Sequence, residues 1–141
     1  MIDKKLVIRK IDLIQRDLQK LEKFRDYTFD EIAKDYYMHK AVERMIEVVI
    51  NEALDINQHI LAQSKFAEAP YDYEDSFLKL TDLDVYPERF AKKICKSAGL
   101  RNILVHQYRK LDEEKFYHSI KECLQQYTKY SDYILKFLEK I

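Results

Sequence analysis

One glycine and two prolines in 141 residues leave too few turn formers for an all-β fold, and the absence of low-complexity runs argues against disorder. No stretch approaches ~18 uninterrupted apolar residues, so no membrane-spanning helix is expected. The opening residues, MIDKKLVIRKIDLIQRDLQK, interrupt short apolar groups with charges and read as neither a secretory signal nor a transit peptide. The expectation is a cytoplasmic chain without membrane association. Cys95 and Cys123, the two cysteines, lack a C-x-x-C spacing and are read as reduced packing residues rather than redox or zinc chemistry. Basic and acidic residues number 25 each, which removes any global attraction for nucleic acid. Local balance differs: between Pro87 and Lys110, Arg89, Lys92, Lys93, Lys96, Arg101, Arg109 and Lys110 face Glu88 alone. That asymmetry points weakly to an anionic partner, since a charged run is often only a solvated helix face.

What is present is helical periodicity. Val7, Ile11, Ile14, Leu18 and Leu21 form one stripe, ending near Phe24. Thr28 and Glu31 have capping-box spacing. A long helix is predicted from about Tyr37 to Gln63 with Val42, Met45, Val49, Ala53, Ile56 and Ile60 facing the core. A short helix follows, capped by Ser76 or Asp75. Pro87 then opens a helix carrying Phe90, Ile94 and Ala98 and ending near Tyr108. Asp112 caps a final long helix with Phe116, Ile120, Cys123, Tyr127, Ile134 and Leu138 on one face. The fold class is all-α, four main helices plus short ones in one domain spanning residues 1–141.

The segment RNILVHQY, residues 101–108, carries polar chemistry on an apolar stripe. On a helical wheel Arg101 falls within about 40° of Ile94, Val105 and Tyr108, so its guanidinium needs a carboxylate, a phosphate or trapped water. His106 and Asn102 lie about 140° and 100° away, so either the helix loosens near His106 or a second chain completes the site. Leu100 and Ile103 widen the apolar arc after Gly99, which favours a homodimer with a shared cleft. An arginine and an imidazole suffice in principle for metal-free phosphodiester cleavage of RNA. The imidazole exchanges protons with the 2′-hydroxyl or the leaving 5′-oxygen, and the guanidinium grips the phosphoryl oxygens.

The same segment resembles the R-x4-6-H signature of the HEPN superfamily, in the R-x4-H-x-Y form of HepT toxins from HepT and MntA toxin-antitoxin systems. AVERMIEVVINEALDINQHIL, DSFLKLTDLDVYPERFAKKICKSAGLRNILVHQYRKLD and the closing helix extend the likeness over nearly the whole chain. The resemblance implies an up-and-down bundle dimerising around the motif helix and acting as a metal-independent ribonuclease toxin, with Arg101 and His106 as the active pair. It also implies a partner nucleotidyltransferase antitoxin that transfers adenylate from ATP to Tyr108 and silences the toxin. Asn102 matches the polar residue that often follows the arginine, and would orient His106 or a phosphate. The alternative is a non-catalytic, nucleotide-binding helical dimer that partners a nucleotidyltransferase.

Glu52, Asp55 and His59 share a polar strip on the long helix, which by itself suggests a metal site. A bundle metal site needs a matching set on a facing helix, and His118 in YHSIKE is poorly placed to supply it. Glu52 and Asp55 are expected instead to support the site by neutralising Arg101 or orienting His106. His39 reads as a surface residue at a helix start, and no cofactor or metal is called for.

Overall fold

A computed structural model describes residues 1–65 and 67–141, which form seven α-helices and no strands among the described residues. Helix α1 (Lys4–Glu22) starts at an Asp3 cap and buries Val7, Ile11, Ile14, Leu18 and Leu21, the predicted stripe. Short α2 (Phe29–Lys34) begins at Thr28, whose hydroxyl accepts from the Glu31 amide while Glu31 accepts from the Thr28 amide. Helix α3 (Tyr36–Gln63) follows from an Asp35 cap. Next come α4 (Tyr73–Lys79), a 3-10 turn (Leu80–Leu83), α5 (Glu88–Ile94), α6 (Ser97–His106), a second 3-10 turn (Tyr108–Lys110) and α7 (Glu113–Lys140). The last begins at the expected Asp112 cap, which accepts from the Lys115 amide.

Helices α3 and α7 run in one direction, with α1 and α6 antiparallel to them, giving an up-and-down bundle. The pairings show the sense: Lys10 near the middle of α1 meets Glu52 and Asp55 late in α3, and Tyr108 after α6 meets Glu43 early in α3. At the far end of the bundle the Asp3 amide donates to His59 Nε2 (3.0 Å), the Met1 amino group to Gln63 (3.0 Å), and Lys4 Nζ to the backbone oxygen of Ile141.

Helix α3 is central, touching α1, α2, α4, α6 and α7. It therefore buries a second row, Glu43, Ile46, Ile50, Leu54, Asn57 and Leu61, beside the predicted one, whose Met45 is only half-buried. Two polar residues in this row are satisfied or held by charge. Asn57 donates to Ser76 Oγ (3.2 Å) and accepts from the Tyr130 hydroxyl (2.6 Å), which also reaches the Ala53 carbonyl (3.1 Å). Ser76 is thus a core residue and not a helix cap; Asp72 caps α4 by accepting from the Asp75 amide (2.7 Å). Tyr86, Phe90, Tyr130 and Tyr133 form an aromatic cluster, with Phe90 and Tyr133 rings 5.0 Å apart.

The predicted helix from Pro87 to Tyr108 is two helices, and Pro87 is the residue before the first rather than its first turn. The division at Cys95–Lys96 has a local cause. Ser97 Oγ donates to the Ile94 carbonyl (2.7 Å), the group an uninterrupted helix would offer to the Ala98 amide. The Ala98 and Gly99 amides turn instead to Cys95 and Lys96, three residues back. Tyr127 of α7 holds the Ser97 hydroxyl at 2.6 Å, fixing the break against the core.

Candidate active site

Helix α6 carries the motif and ends at His106, because Gln107 leaves helical geometry (φ −133°, ψ 38°) and the chain tightens into the 3-10 turn. The helix keeps His106 as its last residue, so of the two routes left open by the sequence the loosening does not bring the imidazole to Arg101, whose described hydrogen-bond partners are Asn51 and Asn102. His106 is exposed, as is Asn102, while Leu104 packs inward. Val105, on the wheel close to Arg101, is 40% exposed, an apolar side chain without cover in the protomer.

Arg101 is half-buried, and no carboxylate meets it among the described residues. Its Nε donates to Asn51 Oδ1 of α3 (2.7 Å), its Nη1 to Asn102 Oδ1 (3.2 Å), and its guanidinium lies 5.1 Å from the centre of the Tyr73 ring. These contacts occupy two of the five N–H donors of an arginine and leave the rest without a protein acceptor among the described residues. Amide oxygens and an aromatic face hold a guanidinium in place without cancelling its charge. Asn102 therefore bears on Arg101, not on His106.

Glu52 and Asp55 are not where the sequence reading put them. Both carboxylates bond Lys10 of α1, at 3.0 and 3.2 Å, and the pair raises the Lys10 ammonium despite the opposing effect of its burial. The correction has a geometric reason: their strip of α3 faces α1, whereas Asn51 faces α6. With His59 accepting from Asp3, the proposed metal strip is dispersed, and no group of metal-ligating side chains converges among the described residues.

Tyr108 opens the turn after α6 and is 40% exposed. Its hydroxyl donates to both oxygens of Glu43, at 2.8 and 3.0 Å, and accepts from Lys40 Nζ, whose ammonium sits 4.2 Å from the ring centre. Glu43 is buried, its side chain 7% exposed, and Lys40 lies 3.4 Å from Oε1, an oxygen that Tyr108 also reaches. His39 is also mostly buried, not a surface residue: its Nε2 is 3.1 Å from Glu43 and 3.6 Å from Glu113 of α7 but out of line for a hydrogen bond. Burial raises the Tyr108 phenol above the usual tyrosine range; Lys40 opposes this and Glu43 adds to it.

Sequence reasoning missed Asn51, Lys40, Glu43 and His39. A signal for Glu43 existed, since on the wheel it lies about 20° from Ile50 and so flanks the buried arc. For Asn51 there was none, because its burial depends on where α6 docks.

The family model for Ribonuclease HepT-like proteins matches residues 14–134. The chain belongs to this family. It is 31% identical over 137 residues to the tRNA nuclease HepT of Aphanizomenon flos-aquae (strain 2012/KM1/D3), covering 97% of this chain and 92% of the relative. It is 25% identical over 130 residues to the mRNA nuclease HepT of Shewanella oneidensis, covering 92% and 96%. Its fold is that of the tri-AMPylated Shewanella oneidensis HEPN toxin solved in complex with its MNT antitoxin (TM-score 0.83, 23% identity, 95% of this chain and 99% of that one). Within a HepT-like chain, Arg101, His106 and Tyr108 occupy the R-x4-H-x-Y positions, and the described residues include no helix long and apolar enough to cross a membrane.

Proposed function

We propose that this HepT-like protein is the ribonuclease toxin of a toxin-antitoxin pair, cutting RNA without a metal at a cleft shared by two copies. An MntA-like nucleotidyltransferase would silence it by transferring adenylate from ATP to Tyr108. The observation that carries the reading is the uncompensated guanidinium of Arg101, oriented by two amides beside a helix end that presents His106 to solvent. In this reading His106 accepts the 2′-hydroxyl proton of the RNA, the 2′-oxygen attacks phosphorus, and the 5′-oxygen leaves and is protonated. Arg101 holds the phosphoryl oxygens as their charge rises. The products are a 2′,3′-cyclic phosphate and a 5′-hydroxyl.

The identity over nearly full length to a tRNA nuclease and an mRNA nuclease supports an endoribonuclease. The solved relative, AMPylated and bound to an MNT antitoxin, supports the partner. One hydrophobic core running from Val7 to Leu138 supports a single domain. A polyanionic substrate also suits the groove of about 800 Å³ between α5 and α7, where Arg89, Lys93, Lys129 and Lys136 surround a Phe90 and Tyr133 floor against Asp132 alone. Support for the dimer comes from α6: its exposed face bears Gly99, Asn102 and His106, and nothing lies within 4 Å of where a Cβ on Gly99 would be. That face admits close approach of a second backbone.

The test is cleavage of RNA by the purified protein in chelator, beside Arg101→Ala and His106→Ala. Each variant is expected to lose about a hundredfold or more in rate, with cyclic phosphate at the wild-type cut ends. Equal cleavage by all three proteins would remove both residues from the chemistry.

A further inference from the structure

We propose that Glu43 and Lys40 serve as catalytic residues of the acceptor in adenylate transfer, Glu43 taking the phenolic proton of Tyr108 and Lys40 holding the oxygen as it meets phosphorus. The inference rests on the reading of Tyr108 as the modified residue. It adds that the toxin supplies the groups that make its own tyrosine reactive.

Three observations converge on this. The Tyr108 proton is already shared between the two oxygens of a buried carboxylate, so the base is in contact with the atom it must deprotonate. The same hydroxyl accepts from Lys40, which leaves a cation on the oxygen when the proton departs and faces that cation toward an incoming phosphate. Finally, Glu43 is buried with both oxygens on the Tyr108 hydroxyl, while Lys40 lies 3.4 Å from Oε1 and His39, 3.1 Å from Oε2, is out of hydrogen-bonding line. The charged or titratable groups that face Glu43 are thus His39 and Lys40 of α3 and Tyr108 of the turn after α6, with Glu113 of α7 reached across His39. Tyr108 is 40% exposed, so a nucleotide held on another protein can approach it.

The step balances as follows. Tyr108 Oη forms a bond to the α-phosphorus of ATP presented by the nucleotidyltransferase, while the bond from that phosphorus to the bridging oxygen of the β-phosphate breaks. Pyrophosphate leaves with the electron pair. The phenolic proton passes to Glu43 and on to solvent, and Lys40 stays charged against the new phosphodiester. A carboxylate that merely tethers the turn to α3 would do its work equally well as an amide, and this separates the two roles.

The experiment incubates the full chain with an MntA-type nucleotidyltransferase and ATP and follows adenylate incorporation by intact mass and by mapping of the modified residue. Wild type is expected to be modified at Tyr108. Glu43→Gln, which keeps size and an acceptor oxygen, should react about a hundredfold more slowly, with a rate that climbs with pH through the phenol range where wild type is flat. Glu43→Asp should recover part of the rate and the flat profile, and Lys40→Met should slow transfer about tenfold. Circular dichroism and thermal melting check each variant's fold. If Glu43→Gln does not fold, the Glu43→Asp profile and the Lys40→Met rate decide. Modification of Tyr108 in Glu43→Gln at the wild-type rate and with the wild-type pH profile would overturn the inference. Wild type left unmodified, or modified elsewhere, would overturn the reading beneath it.

Discussion

Amide oxygens orient a guanidinium and leave its charge intact, and Arg101 is held by two of them. A carboxylate in the place of Asn51 would bond the same Nε but form an ion pair, competing with RNA phosphate for the cation. Asn51→Asp is therefore expected to lower RNA cleavage by roughly tenfold to a hundredfold, from the 1.5–3 kcal/mol of a charged hydrogen bond, with melting temperature unchanged or higher. Asn51→Ala should lose activity through position alone, and steady-state cleavage by the two variants distinguishes them. At this scale the sequence exposed the anomaly and not its resolution. Arg101 on an apolar stripe announced that something must meet it, but a carboxylate was as good a candidate as an amide until the docking of α6 on α3 was known. Glu52 and Asp55 attracted attention because they are charged; Lys10, 42 residues before Glu52 and in another helix, had the better claim on them.

Elements whose signals are local were legible in advance. Thr28 with Glu31, and Asp112 before α7, act within one turn of chain, so their spacing is sufficient evidence. The second buried row of α3 was not, because a helix covered from several sides shows no single stripe. Nor was the break at Cys95–Lys96, which depends on Ser97 reaching both Ile94 and a tyrosine of α7. Gly99 offers a test of what α6 faces. Within one protomer its Cβ position is open, so Gly99→Ala should stabilise the helix by up to about 1 kcal/mol at concentrations where the protein is monomeric. If the seam of a dimer passes over it, the same change should weaken self-association, and sedimentation equilibrium beside thermal melting would show the two effects moving in opposite directions.

The whole molecule couples its stability to alkaline pH through the core. Burial pushes Tyr86, Tyr127 and Tyr130 well above the ordinary tyrosine pKa of about 10, and raises Cys95 to about 11 and Cys123 to about 12. For groups whose folded pKa lies above the unfolded value, the folded state binds more protons in the interval between the two. Their contribution is full below the unfolded values and is lost as pH rises through the folded ones. Stability should therefore hold through neutral pH and decline from about pH 9 upward. Tyrosinate absorbance from the three core tyrosines should appear in one step with loss of helical circular dichroism. Smooth ionisation of every tyrosine without unfolding would contradict the packing described here.

The meeting of Lys4 and Ile141 has a practical sequel. Lys4 and Ile141 touch at the pole where α3 ends, whereas Tyr108 lies near where α3 begins, and 28 residues of helix separate the poles by about 40 Å. A fluorophore, affinity handle or surface tether joined at either extremity therefore projects away from the tyrosine and its acidic neighbour. Immobilised molecules should present that pole freely to whatever enzyme or nucleotide is passed over them.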